Sequence, residues 1–215
     1  RTLAGAFLNR GAVLQRLGQT QAAIRDYSRA LKLQPDMPQA LFNRGAANIF
    51  LGEYAAADAD IAALIKRFPA DLELHMRRAE SYSLAGNFSA AMGDYQYILK
   101  AQPDNARALT GRAQLRAQSG QAADAEADFN HALRVDPEYA EAYHGRALLF
   151  AQQQRHAEAI RNADAAIRLE PDRADFYVSR ARLFRQAGDT GRAAADEEAA
   201  KRMAAPVNLP VDPLP

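Results

Sequence analysis

Six arginines recur along this chain, each followed by a small residue: Arg10-Gly11, Arg44-Gly45, Arg78-Ala79, Arg112-Ala113, Arg146-Ala147 and Arg180-Ala181. Each lies 34 residues after the last. A row of guanidinium groups at a fixed interval suits one of three chemistries: reading a nucleic-acid backbone, holding an anion, or pairing with carboxylates inside the fold. Composition weighs against the first. Lys+Arg number 27 and Asp+Glu 26, a net charge of +1, whereas a protein that neutralises many phosphates carries a clear basic excess. The same period holds a second column: Asp26, Asp60, Asp94, Asp128, Asn162 and Asp196. Arginine matched almost one for one by carboxylate reads as a structural ladder. Pairing within a unit and pairing with the preceding unit both remain open. The exception is Arg146 or Arg180, whichever faces Asn162, since losing the carboxylate leaves that arginine freer than the rest. No aromatics interleave on an exposed face to stack bases, so no nucleic-acid partner is expected.

The other chemistry-bearing residues form no site of their own. The histidines His75, His131, His144 and His156 have no ligand partner at i+4, and no zinc spacing, Gly-rich phosphate loop or nucleophile elbow appears. Cysteine is absent, which removes disulfides, thiolate metal sites and cysteine nucleophiles together. The carboxylates are abundant, but each has a capping or ladder role available. No cofactor or metal is implied, and the chain is not expected to be an enzyme. His75 falls at a core position; the other three histidines are expected at the surface.

The elements that position these columns follow from the same period. Pro35, Pro69, Pro103, Pro137 and Pro171 also stand 34 apart. With that proline as position 32, units start at Ala4, Pro38, Leu72, Ala106, Ala140 and Ala174. Position 20 is alanine throughout (Ala23, Ala57, Ala91, Ala125, Ala159, Ala193), and position 15 is glycine except at Gln154. In the first unit Phe7, Gly11 and Leu14 share one helical face, and after Gly18 so do Ala23, Tyr27, Ala30 and Leu31. Glycine at position 15 permits a left-handed end to the first helix, and proline at 32 stops the second. Asp36, Asp104 and Asp172 follow that proline as candidate N-caps. Each unit is read as a helix–turn–helix hairpin. Its small residues at positions 8 and 20 let two helices cross closely, with an aromatic at position 24 beside them. The chain is all-α, and its 215 residues are enough to bury about 70% of the unfolded surface. No apolar run approaches the ~20 residues of a membrane span.

Small residues at 8, 20 and 27, an aromatic at 24 and proline at 32 in a 34-residue unit resemble the tetratricopeptide repeat family, across six units from Ala4 to about Met203. The resemblance implies an all-α solenoid over residues 1–203, a right-handed superhelix of hairpins. The fifth unit lacks both the turn glycine (Gln154) and the aromatic (Ala163), so its second helix, Ala157 to Leu169, is expected to be the most weakly packed. In the sixth unit Glu197 and Lys201 replace apolar residues, which reads Gly191 to Met203 as the array's own polar cap. Residues 204–215 form a proline-rich tail. Its "APVNLPVDPLP" favours an extended conformation, either as a disordered end or docked in a groove of its own or a neighbouring copy, which would make a homo-oligomer. The chain opens at Arg1 without a signal-peptide pattern, as a trimmed piece of a longer product would. Cytoplasm and periplasm both stay open.

In the family the first helices of successive hairpins line a concave groove, and the resemblance assigns that groove here to specific residues. They are Leu8, Asn9, Ala12 and Arg16; Phe42, Asn43, Ala46, Ile49 and Phe50; Met76, Arg77 and Glu80; Thr110 and Gln114; His144 and Leu148; and Arg182. The first half of this surface is apolar, and an exposed apolar patch marks a binding surface. The second half carries charges of both signs. Members that grip a chaperone's C-terminal carboxylate use Lys and Asn in one unit, Asn in the next, and Lys and Arg in the third. Asn43 and Arg77 match two of these, but Leu8, Ala12 and Glu73 replace the others and Glu73 would repel a carboxylate, so that activity is not expected. The function implied is a non-catalytic scaffold that binds an extended peptide or helix of a partner protein. The alternatives are the regulatory or substrate-docking region of a larger enzyme or secretion complex, and a self-associating scaffold.

Overall fold

A computed structural model describes residues 2–204, and within them the chain is helical with no strand. The chain divides into two compact units, Arg1–Pro103 and Asp104–Pro215, each holding three helical hairpins. The first unit contains α1 (Leu3–Arg16), α2 (Thr20–Leu33), α3 (Pro38–Phe50), α4 (Tyr54–Arg67), α5 (Leu72–Leu84) and α6 (Phe88–Ala101). The second contains α7 (Ala106–Gln118), α8 (Ala122–Val135), α9 (Ala140–Gln152), α10 (His156–Leu169), α11 (Ala174–Gln186) and α12 (Thr190–Ala204). The fold is a helical-repeat solenoid. The proline-rich tail, residues 205–215, lies outside the described residues.

Each turn inside a hairpin is built the same way. Gly18, Gly52, Gly86, Gly120 and Gly188 take φ between 74° and 82°, where a side chain would be strained. The next residue donates its N–H back across the turn, as in Gln19 to the Leu14 carbonyl (2.9 Å) and Asp189 to the Phe184 carbonyl (2.8 Å). The fifth hairpin makes the identical turn without glycine: Gln154 adopts φ 59°, and Arg155 donates to the Phe150 carbonyl at 2.9 Å.

The starts of the first helices differ from expectation. Asp36, Asp104 and Asp172 are not caps; the capping positions of α3, α7 and α11 are Met37, Asn105 and Arg173. The chain needs a turn after the proline before it re-enters a helix, which moves the cap beyond the aspartate. Asp104 instead meets His131 at 2.7 Å. Asp71, two residues after Pro69, does cap α5 through the Glu73 and Leu74 N–H groups.

Close crossing of the two helices puts the small columns at the centre. All six position-20 alanines have no exposed surface. In the first hairpin a Cβ added to Gly11 would stand 2.6 Å from the Tyr27 ring, so only glycine fits there. The fully buried Tyr27 packs with Ala23 and, across to the next hairpin, Ala47. The fifth hairpin is not thinly packed. Helix α10 buries six residues, as many as α2 and more than α8. The space left by Ala163 is taken by Phe150 of α9, which packs with Ala147, Ala159, Ala163 and Leu183. The aromatic has moved from the second helix to the first. In the sixth hairpin Glu197 receives Arg185 at 2.7 Å, and Lys201 is exposed.

Candidate functional site

The arginine column is a ladder, and it closes within each hairpin. Arg10 donates Nε and Nη2 to Asp26 at 2.6 and 2.8 Å. Arg44 does the same to Asp60, Arg78 to Asp94, Arg112 to Asp128 and Arg180 to Asp196, at 2.6–2.9 Å. The fork geometry matches both carboxylate oxygens at once, and the aspartates are buried. Three arginines also use Nη1 to reach the second helix of the preceding hairpin: Arg44 to Ser28 (3.1 Å), Arg146 to Asn130 (2.6 Å) and Arg180 to Asp164 (2.7 Å). One side chain thus ties two helices of its own hairpin and one of its neighbour. The Asp26 carboxyl lies below its ordinary pKa chiefly because Arg10 donates to it. His75, buried as expected, adds a bond from Nδ1 to Asp94 (2.8 Å) and stacks on Tyr97.

With the columns committed to structure, the surface between α1 and α3 is where side chains remain available. A cleft of about 550 Å³ is lined by Leu8, Asn9, Ala12, Gln15, Arg16, Tyr27, Gln39 and Asn43. Gln39 Nε2 donates to Asn43 Oδ1 at 3.0 Å, and the Tyr27 hydroxyl donates to Gln15 Oε1 at 2.8 Å. The lining thus carries two separate amide contacts, one of them anchored on the buried Tyr27 phenol, whose pKa burial pushes up. Arg16 is the one charged residue lining the cleft. Gln39 also lines a smaller cleft of about 240 Å³ with Phe42, Leu64, Phe68 and Leu74.

The remaining groove residues divide. Asn9 and Gln114 are exposed; Leu8, Ala12, Phe42, Asn43, Ala46, Ile49, Arg77 and Glu80 are half-buried. Phe50 is 78% exposed and does not pack between helices; Leu17 and Leu84 stand out to a similar degree at the same turn end of their hairpins. Met76 and Thr110 are corrections: each is only 3% exposed, so neither is offered to a partner. Phe42 is covered in part by the Arg77 guanidinium, 4.6 Å from its ring centroid, while Arg77 also meets Glu73 at 3.2 Å. In the second unit Leu148 and Arg182 are exposed, but His144 is not a surface histidine. Its Nε2 lies 2.8 Å from Ser179 Oγ, its ring leans on Phe176, and burial pushes its pKa down. His131 and His156 are half-buried as well. Gln15, Gln39 and the Tyr27 hydroxyl escape the sequence reading. The signal available was tyrosine rather than phenylalanine at position 24, since a buried phenol needs a polar partner.

Among the described residues no helix is long and apolar enough to cross a membrane, and no cluster of three metal-ligating side chains occurs. No curated protein sequence matches the chain. Solved structures similar to it include a tetratricopeptide repeat protein from Parabacteroides merdae, 23% identical with a TM-score of 0.73, covering 94% of this chain and 80% of that one. TTC0263, a thermophilic TPR protein in Thermus thermophilus, is 25% identical with a TM-score of 0.68, covering 84% of this chain and 98% of that one. YrrB, described as a TPR protein with an unusual peptide-binding site, is 18% identical with a TM-score of 0.59, covering 85% and 90%. The tetratricopeptide repeat profiles match residues 4–37, and 47–106, 85–130, 110–163 and 155–207, which together span most of the sequence. The hairpin geometry and these matches agree: the chain belongs to the tetratricopeptide repeat family.

Proposed function

We propose that this chain is a non-catalytic protein-interaction scaffold that takes an extended peptide segment of a partner in the cleft between α1 and α3. The amide-lined floor carries this reading. Asn9, Gln15, Gln39 and Asn43 offer donors and acceptors side by side, as a peptide backbone requires, with Gln15 held by the Tyr27 hydroxyl and Asn43 by Gln39. Leu8, Ala12 and, towards the turn end, the exposed Phe50 supply apolar contact for alternate side chains. Arg16 without a carboxylate in the lining favours an apolar segment bearing one acidic residue. A peptide-binding site in YrrB, a protein of similar fold, is compatible with this use of the fold.

The test begins with selection of binders from a random decapeptide library. Asn9→Ala and Phe50→Glu, both at exposed positions, should each weaken the selected peptides about tenfold, the worth of one hydrogen bond or one apolar contact. Melting temperatures should stay within ~2 °C of wild type, because neither side chain is buried. Peptides that bind both variants as tightly as wild type would remove this cleft from consideration.

A further inference from the structure

The repeat supplies its own control for one side chain that the ladder leaves incomplete. In the other five hairpins the arginine gives Nε and Nη2 to the two oxygens of one carboxylate. In the fifth hairpin Asn162 stands in that place. Its single amide oxygen receives Nε of Arg146 at 2.8 Å, and its Nδ2 turns away to the Glu158 carbonyl, also at 2.8 Å. Nη1 goes to Asn130 Oδ1 at 2.6 Å. The second oxygen that would meet Nη2 is missing. The nearby acid, Glu126, is already held by Arg155 at 2.8 Å, and Glu158 by the same arginine at 2.6 Å. The rings of Tyr143 and Phe150 stand 5.5 and 5.9 Å from the Arg146 guanidinium carbon.

Charge follows the geometry. Arg10, Arg44, Arg78 and Arg180 are held above the ordinary arginine range mainly by their aspartates, whereas Arg146 is pushed below it by burial, which the nearby Tyr143 and Glu126 offset only in part. A half-buried cation with one donor edge unspent is stabilised by any carboxylate that reaches it.

We infer that Arg146 is a receptor for one carboxylate from outside the chain, taken at the Nη2 edge beside Asn162. A single guanidinium edge with one missing oxygen fits a carboxylate; a phosphate would need further donors, and the flanking Asn162 and Asn130 groups present oxygens. The carboxylate comes either from a small free acid or from an acidic side chain of a partner, and both present the same oxygens.

The experiment follows arginine side-chain NMR resonances, with Arg146 assigned through Arg146→Lys. Acetate, and separately the blocked tripeptide acetyl-Gly-Asp-Gly-amide, are titrated into wild type and Asn162→Asp with chloride holding ionic strength constant. In wild type acetate should shift the Arg146 resonance saturably while exposed Arg16 and Arg182 move little, and should raise Tm by about 1–2 °C. Asn162→Asp repairs the ladder internally, so it should raise Tm without acetate and abolish the acetate response at Arg146. A response to the tripeptide as well assigns the site to an acidic side chain; a response to acetate alone assigns it to a free acid. Identical acetate responses in wild type and Asn162→Asp, or parallel shifts at all exposed arginines, would overturn the inference.

Discussion

Gly11 and Gly45 occupy the same position of successive repeats, yet they are under different constraint. A methyl on Gly45 would meet Asp60 and Ile61 at 3.4–3.5 Å, ordinary contact, whereas on Gly11 it would meet the Tyr27 ring at 2.6 Å. That ring cannot retreat: it is fully buried, and its hydroxyl is tied to Gln15 of the same helix α1. Alanine gains about 1 kcal/mol over glycine inside a helix, while overpacking a filled site costs about 1–3 kcal/mol. Gly45→Ala should therefore raise Tm by about 2–4 °C and Gly11→Ala should lower it. Thermal unfolding of the two variants beside wild type checks this, and shifts of the same sign would refute it. The sequence shows only that position 8 is small; which glycine is obligatory depends on where the tyrosine hydroxyl is anchored, and that requires coordinates. The ladder has the same character. Two matched columns announced an Arg–Asp ladder, but not that Arg78 meets Asp94 of its own hairpin, nor the third bond that His75 brings to the same carboxylate.

Helix limits were legible because glycine and proline act through backbone geometry alone. The left-handed turn at Gly18 and the stop before Pro35 needed no knowledge of neighbours. Packing inside a hairpin was less legible, as the fifth shows. Losing the aromatic at Ala163 reads as a hole until Phe150 is seen to enter from the opposite helix. The Arg155 guanidinium lies 3.9 Å from the Phe150 ring centroid and is itself held by Glu126 and Glu158. The turn of that hairpin, by contrast, keeps its backbone strain. Gln154 sits at φ 59°, where a residue with a Cβ carries a cost of about 1 kcal/mol that glycine avoids. Gln154→Gly should raise Tm by about 1–4 °C, the side chain being exposed and without a bond to lose. A fall in Tm would show that the turn's stability rests on the glutamine itself.

Across the whole molecule, the near balance of 27 basic and 26 acidic residues goes with an arginine row that is spent inside the fold. Arg10, Arg44, Arg78, Arg112 and Arg180, which as a bare row suggest a phosphate-reading surface, each meet an aspartate within 2.6–2.8 Å. Arg155 and Arg173 are each shared among two or more carboxylates. Binding a nucleic-acid backbone depends on releasing counterions to many free cations, and an arginine already neutralised inside the protein releases none. The α1–α3 cleft contributes one cation, Arg16, and the fifth hairpin contributes Arg146. With a net charge of +1 and the arginine row spent on aspartates, the protein lacks the basic excess behind the six to ten phosphate contacts of a strong nucleic-acid binder. A fluorescent single strand of about 20 nucleotides should accordingly show no saturable binding below ~10 µM protein, even in 50 mM salt. Decapeptides selected on the cleft should lose only about threefold in affinity between 50 and 500 mM salt, because amide hydrogen bonds and apolar contacts are little screened. Tight oligonucleotide binding that fades steeply with salt would mean that the ladder opens to admit phosphate, and the assignment of these arginines to the frame would fail.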